Sequence, residues 1–234
     1  MISFLKKLSP KVEFLIVLSL AFGFISLSNL LNFLSSATQH TLNNDVLITD
    51  SDLIFIVVYE LVLLLIVGCF LFLRGWTLEK LGMKSWPRLS DVWHALVLTF
   101  IVYIVYFIVF SVFSSMLYVG NASSSPIVTT NVGLPLVIVL SVINPFFEEI
   151  FVGAYILQAL KGKRSLLFAV NLSVIIRFSY HLYQGEMAII SIIPLGLLFA
   201  YFFLKYQNLW PLILSHGLLD FVGLMALNSQ EISP

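Results

Sequence analysis

Seven runs of mostly apolar residues divide the chain: 12–35, 53–73, 91–118, 132–160, 166–183, 187–204 and 209–227. A helix needs about 20 such residues to cross a bilayer. The pattern therefore predicts an all-α polytopic transmembrane helical bundle of about seven spans. The third and fourth runs are long enough to require tilting or a kink. The fifth and sixth are separated by very little, so a re-entrant piece is the alternative there. The first run follows lysines, but it is longer than the apolar region of a signal peptide and no clear Ala-x-Ala site follows, so it is expected to stay as a span. Between the runs, Gly75–Arg88 mixes Trp76, Leu78, Leu81 and Trp86 with charges, which predicts a short interfacial helix with its tryptophans at headgroup level. The stretch Asn121–Asn131, with Pro126 inside it, predicts an exterior loop. The chain has neither a tandem repeat nor a low-complexity tract.

Composition narrows the class. Of 234 residues, 60% are hydrophobic and 10% charged, with a mean hydropathy of +1.04. Soluble domains carry about 25% charged residues, so a soluble globule and a disordered chain are both excluded. Twelve basic and 12 acidic residues cancel, which argues against a nucleic-acid partner. The single cysteine, Cys69, excludes an intrachain disulfide framework and a Cys-rich metal site.

Charge placement adds orientation. Lys6, Lys7 and Lys11 precede the first run; Arg74, Lys80, Lys84 and Arg88 follow the second; Lys161, Lys163 and Arg164 follow the fourth; Lys205 follows the sixth. Seven spans put all of these on one side. The opposite loops hold Asp45, Asp50, Asp52, Glu186 and Glu231 and no Lys or Arg. The positive-inside rule then predicts a multi-pass cell-membrane protein with a cytoplasmic N-terminus and an exterior C-terminus.

The remaining basic residue, Arg177, lies inside a span, as do Glu60, Glu148, Glu149, His181, His216 and Asp220. Ionisable groups at membrane depth are costly and mark function by default. Adjacent helix positions point about 100° apart, so Glu148 and Glu149 are not expected to face one spot equally. Asn144 shares a face with Glu148, Arg177 with His181, and His216 with Asp220, each pair one turn apart. Pro145 predicts a kink just before the glutamates and frees the carbonyl of Ser141, which is available to hold water. The Asp220 carboxylate is placed to orient the His216 imidazole. Each polar pair taken alone also fits a helix-packing contact, but three pairs on three late helices favour a site. Glu60 reads as a packing or pairing carboxylate, and His40 and His94 as uninvolved.

A buried glutamate that takes a proton from water, with histidines that orient the water and stabilise an oxyanion, makes a hydrolytic centre. There is no Gly-x-Ser-x-Gly and no His-Glu-x-x-His. A bare water and one bound to a divalent metal such as zinc both remain open.

Glu148-Glu149 in an apolar helix, His181 at the end of a later helix, and His216-x-x-x-Asp220 in the last helix resemble the CAAX-processing and bacteriocin-processing (CPBP, or Abi) intramembrane protease family. The resemblance covers roughly residues 132–227, and the segment Trp76–Gly82 resembles the stretch that often precedes the family's core. It implies motif helices around a conical cavity, with members that process CAAX proteins or act in peptide maturation, bacteriocin immunity and envelope phenotypes. It further implies Glu148 as the water-activating residue and His181 and His216 as the histidines of the second and third motifs; beside it, the residues themselves place Glu149 among the catalytic groups and Arg177, Asp220 and Asn144 as supporting. A metal, if bound, would fall to Glu148, His181 and His216. Two positions depart from the family pattern: Gly153 stands where its first motif commonly has Arg, and Arg177 where its second commonly has Phe. Arg177 is expected to reach into the open patch at Gly153, supply the guanidinium from another helix, and pair with Glu149.

On this reading residues 1–131 form three N-terminal helices with an interfacial segment at 74–90, residues 132–227 a catalytic core, and 228–234 a short exterior tail. The expected activity is intramembrane hydrolysis of a peptide or protein tail, with the bilayer as the other partner. The alternatives are a non-catalytic scaffold or pseudoprotease of the same fold binding a peptide or envelope enzyme, and, ranked lower, an ion-coupled transporter. The topology is checked with reporter fusions: one after Pro234 is expected to read exterior and one within 74–88 cytoplasmic. A cytoplasmic C-terminus would mean that one span is miscounted.

Overall fold

The computed structural model describes residues 7–39, 46–117, 128–185 and 187–228. The expectations for His40, Asp45, Glu186, Glu231, Pro126 and the tail 229–234 lie outside them.

The described residues form seven helices. Helix α1 is built from Pro10–Leu18, one wide turn Ser19–Gly23, and Phe24–Gln39. Helices α2 (Asp50–Leu73) and α3 (Leu89–Leu117) follow. Helix α4 runs from Leu134 to Glu148, widens to a π turn over Glu149–Tyr155, and ends as Ile156–Leu160. Then come α5 (Leu166–Tyr180), a single 3-10 turn Leu182–Gln184, α6 (Met187–Tyr206) and α7 (Trp210–Asn228). Strands β1 (Val46–Thr49) and β2 (Val128–Asn131) pair in parallel, Val46 opposite Val128 and Thr49 opposite Asn131. The expected loop at 121–131 thus ends in a strand.

Among the described residues, six helices are long and apolar enough to cross a membrane. The exception is α5. Its 15 residues rise only about 22 Å, short of a hydrocarbon core of about 30 Å. The expected span 166–183 is therefore corrected to a short helix and a turn. Because α6 returns from that turn, the pair brings the chain back to the end at which it started.

The starts and caps follow local chemistry. Ser9 caps α1 by accepting from Val12 N, with Pro10 in the first turn. Thr49 and Asp52 cap α2 reciprocally, and Ser165 accepts from Phe168 N at the start of α5.

Side-chain bonds define the two ends. At one, Arg74 Nε donates to Glu13 Oε2 at 2.6 Å and Nη2 to Leu8 O. Trp76 Nε1 donates to Glu13 Oε1, Gln158 bonds Gln207, and Asn208 donates to Asp91. At the other, Gly133 N donates to Asp50 Oδ1 and Asn228 brackets Val132. Among the described residues, Arg74, Lys80, Lys84 and Lys161 lie at the first end.

Gly75–Arg88 is not a helix. It is a series of turns closed by Gly82 at φ +88°, with Leu81 and Met83 buried. Trp76 packs inward on Tyr155 because its indole N–H serves the buried Glu13, so it does not sit free at headgroup level; Trp86 is 86% exposed.

Helices α4 and α7 meet without side chains between them. Pro145 lacks the N–H that would bond Ser141 O, and Gly217 lies against that carbonyl: a Cβ there would sit 2.5 Å from it. The freed carbonyl is thus covered by α7. Gly217→Ala must push the helices apart and is expected to cost about 1–3 kcal/mol, read as a lower melting temperature in detergent. An unchanged melting temperature would show that the contact yields freely.

Candidate active site

The wide turn of α4 begins at Glu149, one turn after Pro145, with Glu148 the last residue of the regular helix before it. Single π turns of this kind concentrate at functional sites. Arg177 Nη1 donates to Glu148 Oε2 at 3.0 Å and Nη2 to Glu149 Oε1 at 2.7 Å. The three residues are 1%, 4% and 0% exposed. Arg177 thus reaches Glu149, as expected, and Glu148 as well. The expectation that two adjacent glutamates could not serve one spot fails because a guanidinium has two forked donors.

Gly153 does not leave an open patch. The Glu149 carboxylate folds back over it, so that a Cβ at 153 would lie 2.5 Å from Glu149 Oε2. That oxygen is sealed without a partner, as are Arg177 Nε, Ser141 Oγ and Glu60 Oε2.

Helix α7 adds His216. Its Nδ1 lies 2.7 Å from Glu149 Oε1, and its Nε2 lies 4.0 Å from Glu148 Oε2 and 3.4 Å from Asp220 Oδ1. Glu149 is therefore the nearer carboxylate orienting the ring, rather than Asp220. Asp220 is itself held by Asn144 Nδ2 at 2.8 Å, so Asn144 acts through Asp220. Glu148 Oε1 makes no hydrogen bond among the described residues and is not one of the sealed atoms, so it is the carboxylate oxygen left open.

His181 follows the last residue of α5, and its Nδ1 lies 2.9 Å from Arg177 O. It has no ion-pair contact with either glutamate among the described residues. The residue of that segment that touches Glu148 is Tyr180, whose hydroxyl donates to Oε2 at 2.6 Å. Tyr180 went unnoticed in the sequence, although its spacing of three from Arg177 places both on one helix face. Phe199 was also missed: Arg177 Cζ lies 5.8 Å from its ring centre and His216 packs edge-on to it. Helix α1 closes the other side, with Phe22 stacked on Tyr180. Asn29 donates to Tyr180 O and Ser179 donates to Ser26 Oγ, so the end of the short α5 is satisfied inside the bundle.

Glu60, on α2, is buried and coupled by charge to Glu148, Asp220 and His216. Four carboxyl groups, Glu60, Glu148, Glu149 and Asp220, thus interact with His216. Glu148, Glu149 and His216 each offer one ligand atom within 4.8 Å of the others and form a group that could hold a metal ion. His181, expected in that set, is outside it, and Glu149 takes its place.

Residues 129–222 match the family model of Rce1-like type II CAAX prenyl endopeptidases. The likeness is confined to this C-terminal segment, less than half of the chain. The match begins in β2 and ends in α7, leaving α1, α2, α3 and the segment Trp76–Gly82 outside it, and it contains Glu148, Glu149, His181, His216 and Asp220. No curated protein and no solved structure matches the chain. The family supports a membrane endopeptidase of the CAAX-protease type.

Removing the fork tests the geometry. Arg177→Leu leaves two buried carboxylates facing each other and is expected to lose about 3–5 kcal/mol, seen as a large drop in melting temperature. Arg177→Lys keeps the charge without the fork and should fall between the two. Wild-type stability in Arg177→Leu would show that the glutamates find other partners.

Proposed function

We propose that the protein is an intramembrane endopeptidase that cleaves a membrane-associated peptide or protein tail, with Glu148 activating the attacking water. The observation that carries this reading is the division of labour between the adjacent glutamates. Both oxygens of Glu149 are committed, one to Arg177 and His216 and the other sealed over Gly153. Glu148 is held through Oε2 alone.

In the proposed reaction water gives a proton to Glu148 as its oxygen bonds to the scissile carbonyl carbon. The oxyanion is stabilised by His216, while the Tyr180 hydroxyl stays on Glu148 Oε2. Glu148 then passes the proton to the amide nitrogen, the C–N bond breaks, and an acid and an amine leave. Glu149 orients His216, Asp220 and Asn144 brace it from the next turn, and His181 is the second histidine, aimed by its bond to Arg177 O. A prenylated tail is the substrate class suggested by the family's description. The protein is proposed to lie in the cell membrane with its basic end cytoplasmic, residues 132–227 as its catalytic core and 228–234 as an exterior tail.

A divalent ion in the Glu148–Glu149–His216 group would act as a Lewis acid on the water. Those donors suit zinc, but Arg177 already supplies positive charge between the two carboxylates. The reaction proposed here therefore runs on side chains and water, and precursor processing is expected to survive a chelator.

Comparative peptidomics of cells carrying wild type or Glu148→Gln tests the function. The variant cannot accept water's proton, so turnover should fall at least ~10²-fold and an uncleaved precursor should accumulate. The sealed Arg177 bridge also favours a second reading, a scaffold in which the bridge only locks helices. Glu148→Gln with wild-type processing would select it.

A further inference from the structure

A second site lies at the basic end, about three helical turns along α4 from the glutamates. The loop after α2, the end of α4 and the α6–α7 turn border an open cavity of about 430 Å³. Lys80, Lys84, Lys161, Gln158, Gln207 and Trp76 line it, and Glu79 is the acid among the lining residues. We propose that this cavity binds the headgroup of an anionic phospholipid, with the phosphate held between Lys84 and Lys161.

Charge is the first argument. Three lysines face one glutamate. Lys80 is anchored through Nζ to Gly75 O at 2.6 Å, whereas Lys84 and Lys161 are exposed and make no ion pair among the described residues.

The rim is also built. Gly82 turns at φ +88°, where a Cβ would lie 2.9 Å from Phe203 and 3.2 Å from Leu209 N. Gln207 is the one described non-glycine residue at positive φ, 48°. Its amide donates to Phe203 O and Leu204 O, and its Oε1 accepts from Gln158. Backbone held in that region persists where its surroundings enforce it, and such residues gather at ligand sites.

Position separates a lipid from a soluble anion. The cavity lies where α2, α4 and α6 end and the basic loops gather, which is headgroup depth. Leu78 and Trp86, in the same loop, are 63% and 86% exposed and offer apolar surface for acyl chains. Basic pockets between membrane helices on the cytoplasmic side are suited to anionic headgroups.

Native mass spectrometry of the detergent-purified full chain, titrated with phosphatidylglycerol or phosphatidylcholine, tests this. One phosphatidylglycerol should be retained under conditions that strip phosphatidylcholine. Neutralising two lysines, as Lys84→Gln with Lys161→Gln, should weaken retention about 30-fold. Glu79→Gln should strengthen it. Lys205→Gln, at the same end but packed on Tyr201 and Tyr206, should leave it unchanged. Equal retention of both lipids, an unaffected double variant, or an equal loss in Lys205→Gln would overturn the proposal. So would displacement by inorganic phosphate at matching concentration, which would assign the pocket to a free anion.

Discussion

One guanidinium between two carboxylates organises the membrane-embedded half of this protein. In a low-dielectric interior a lone charge is prohibitive, and a pair survives only when its remaining hydrogen-bonding groups are nearly all met. Arg177 needs both glutamates, so α5 must lie against the wide turn of α4. Glu149, so engaged, needs a second donor and finds His216 on α7. His216 in turn lies beside Asp220, and Asp220 brings back Asn144 on α4. Three helices are thereby locked in register through one connected network.

Small residues let that network close. Gly217 admits the bare carbonyl of Ser141, Gly153 admits the Glu149 carboxylate, and Gly196 lets α6 approach Val174 and the Arg177 stem. In a membrane, where lipid is as apolar as a leucine side chain, close backbone approach and interhelical hydrogen bonds replace the hydrophobic effect as the means of association. The aliphatic faces of α2 and α3 that point outward are consistent with that solvent.

The helices outside the family-matched segment are also part of the site. Helix α1 stacks Phe22 on Tyr180 and satisfies the end of α5 with Asn29. Helix α2 contributes Glu60 to the electrostatics of Glu148 and His216. Near the basic end, Glu13 of α1 gathers Arg74, Trp76 and Tyr155, so the loop that walls the lysine-lined cavity is pinned to both the first helix and the fourth. Core and N-terminal helices share one polar framework at two depths.

The amino-acid sequence alone determined the solvent and the architecture. Apolar runs of spanning length, with loop lysines and arginines in alternate loops, leave few ways to thread the chain, because insertion depends on local composition. It also marked Glu148, Glu149, Arg177 and His216, since charge at membrane depth is too costly to be incidental. Tertiary structure decided the rest. Helical spacing compares the directions of adjacent side chains, so it could not foresee that a forked guanidinium from another helix would reach Glu148 and Glu149 at once. Nor does spacing reveal contacts between helices: Tyr180 displaced His181 as the neighbour of Glu148, Glu149 displaced Asp220 as the nearer partner of His216, and Trp76 turned inward to Glu13. Each outcome depends on which buried group lacks a partner once the helices have packed, and that is a property of the assembled bundle.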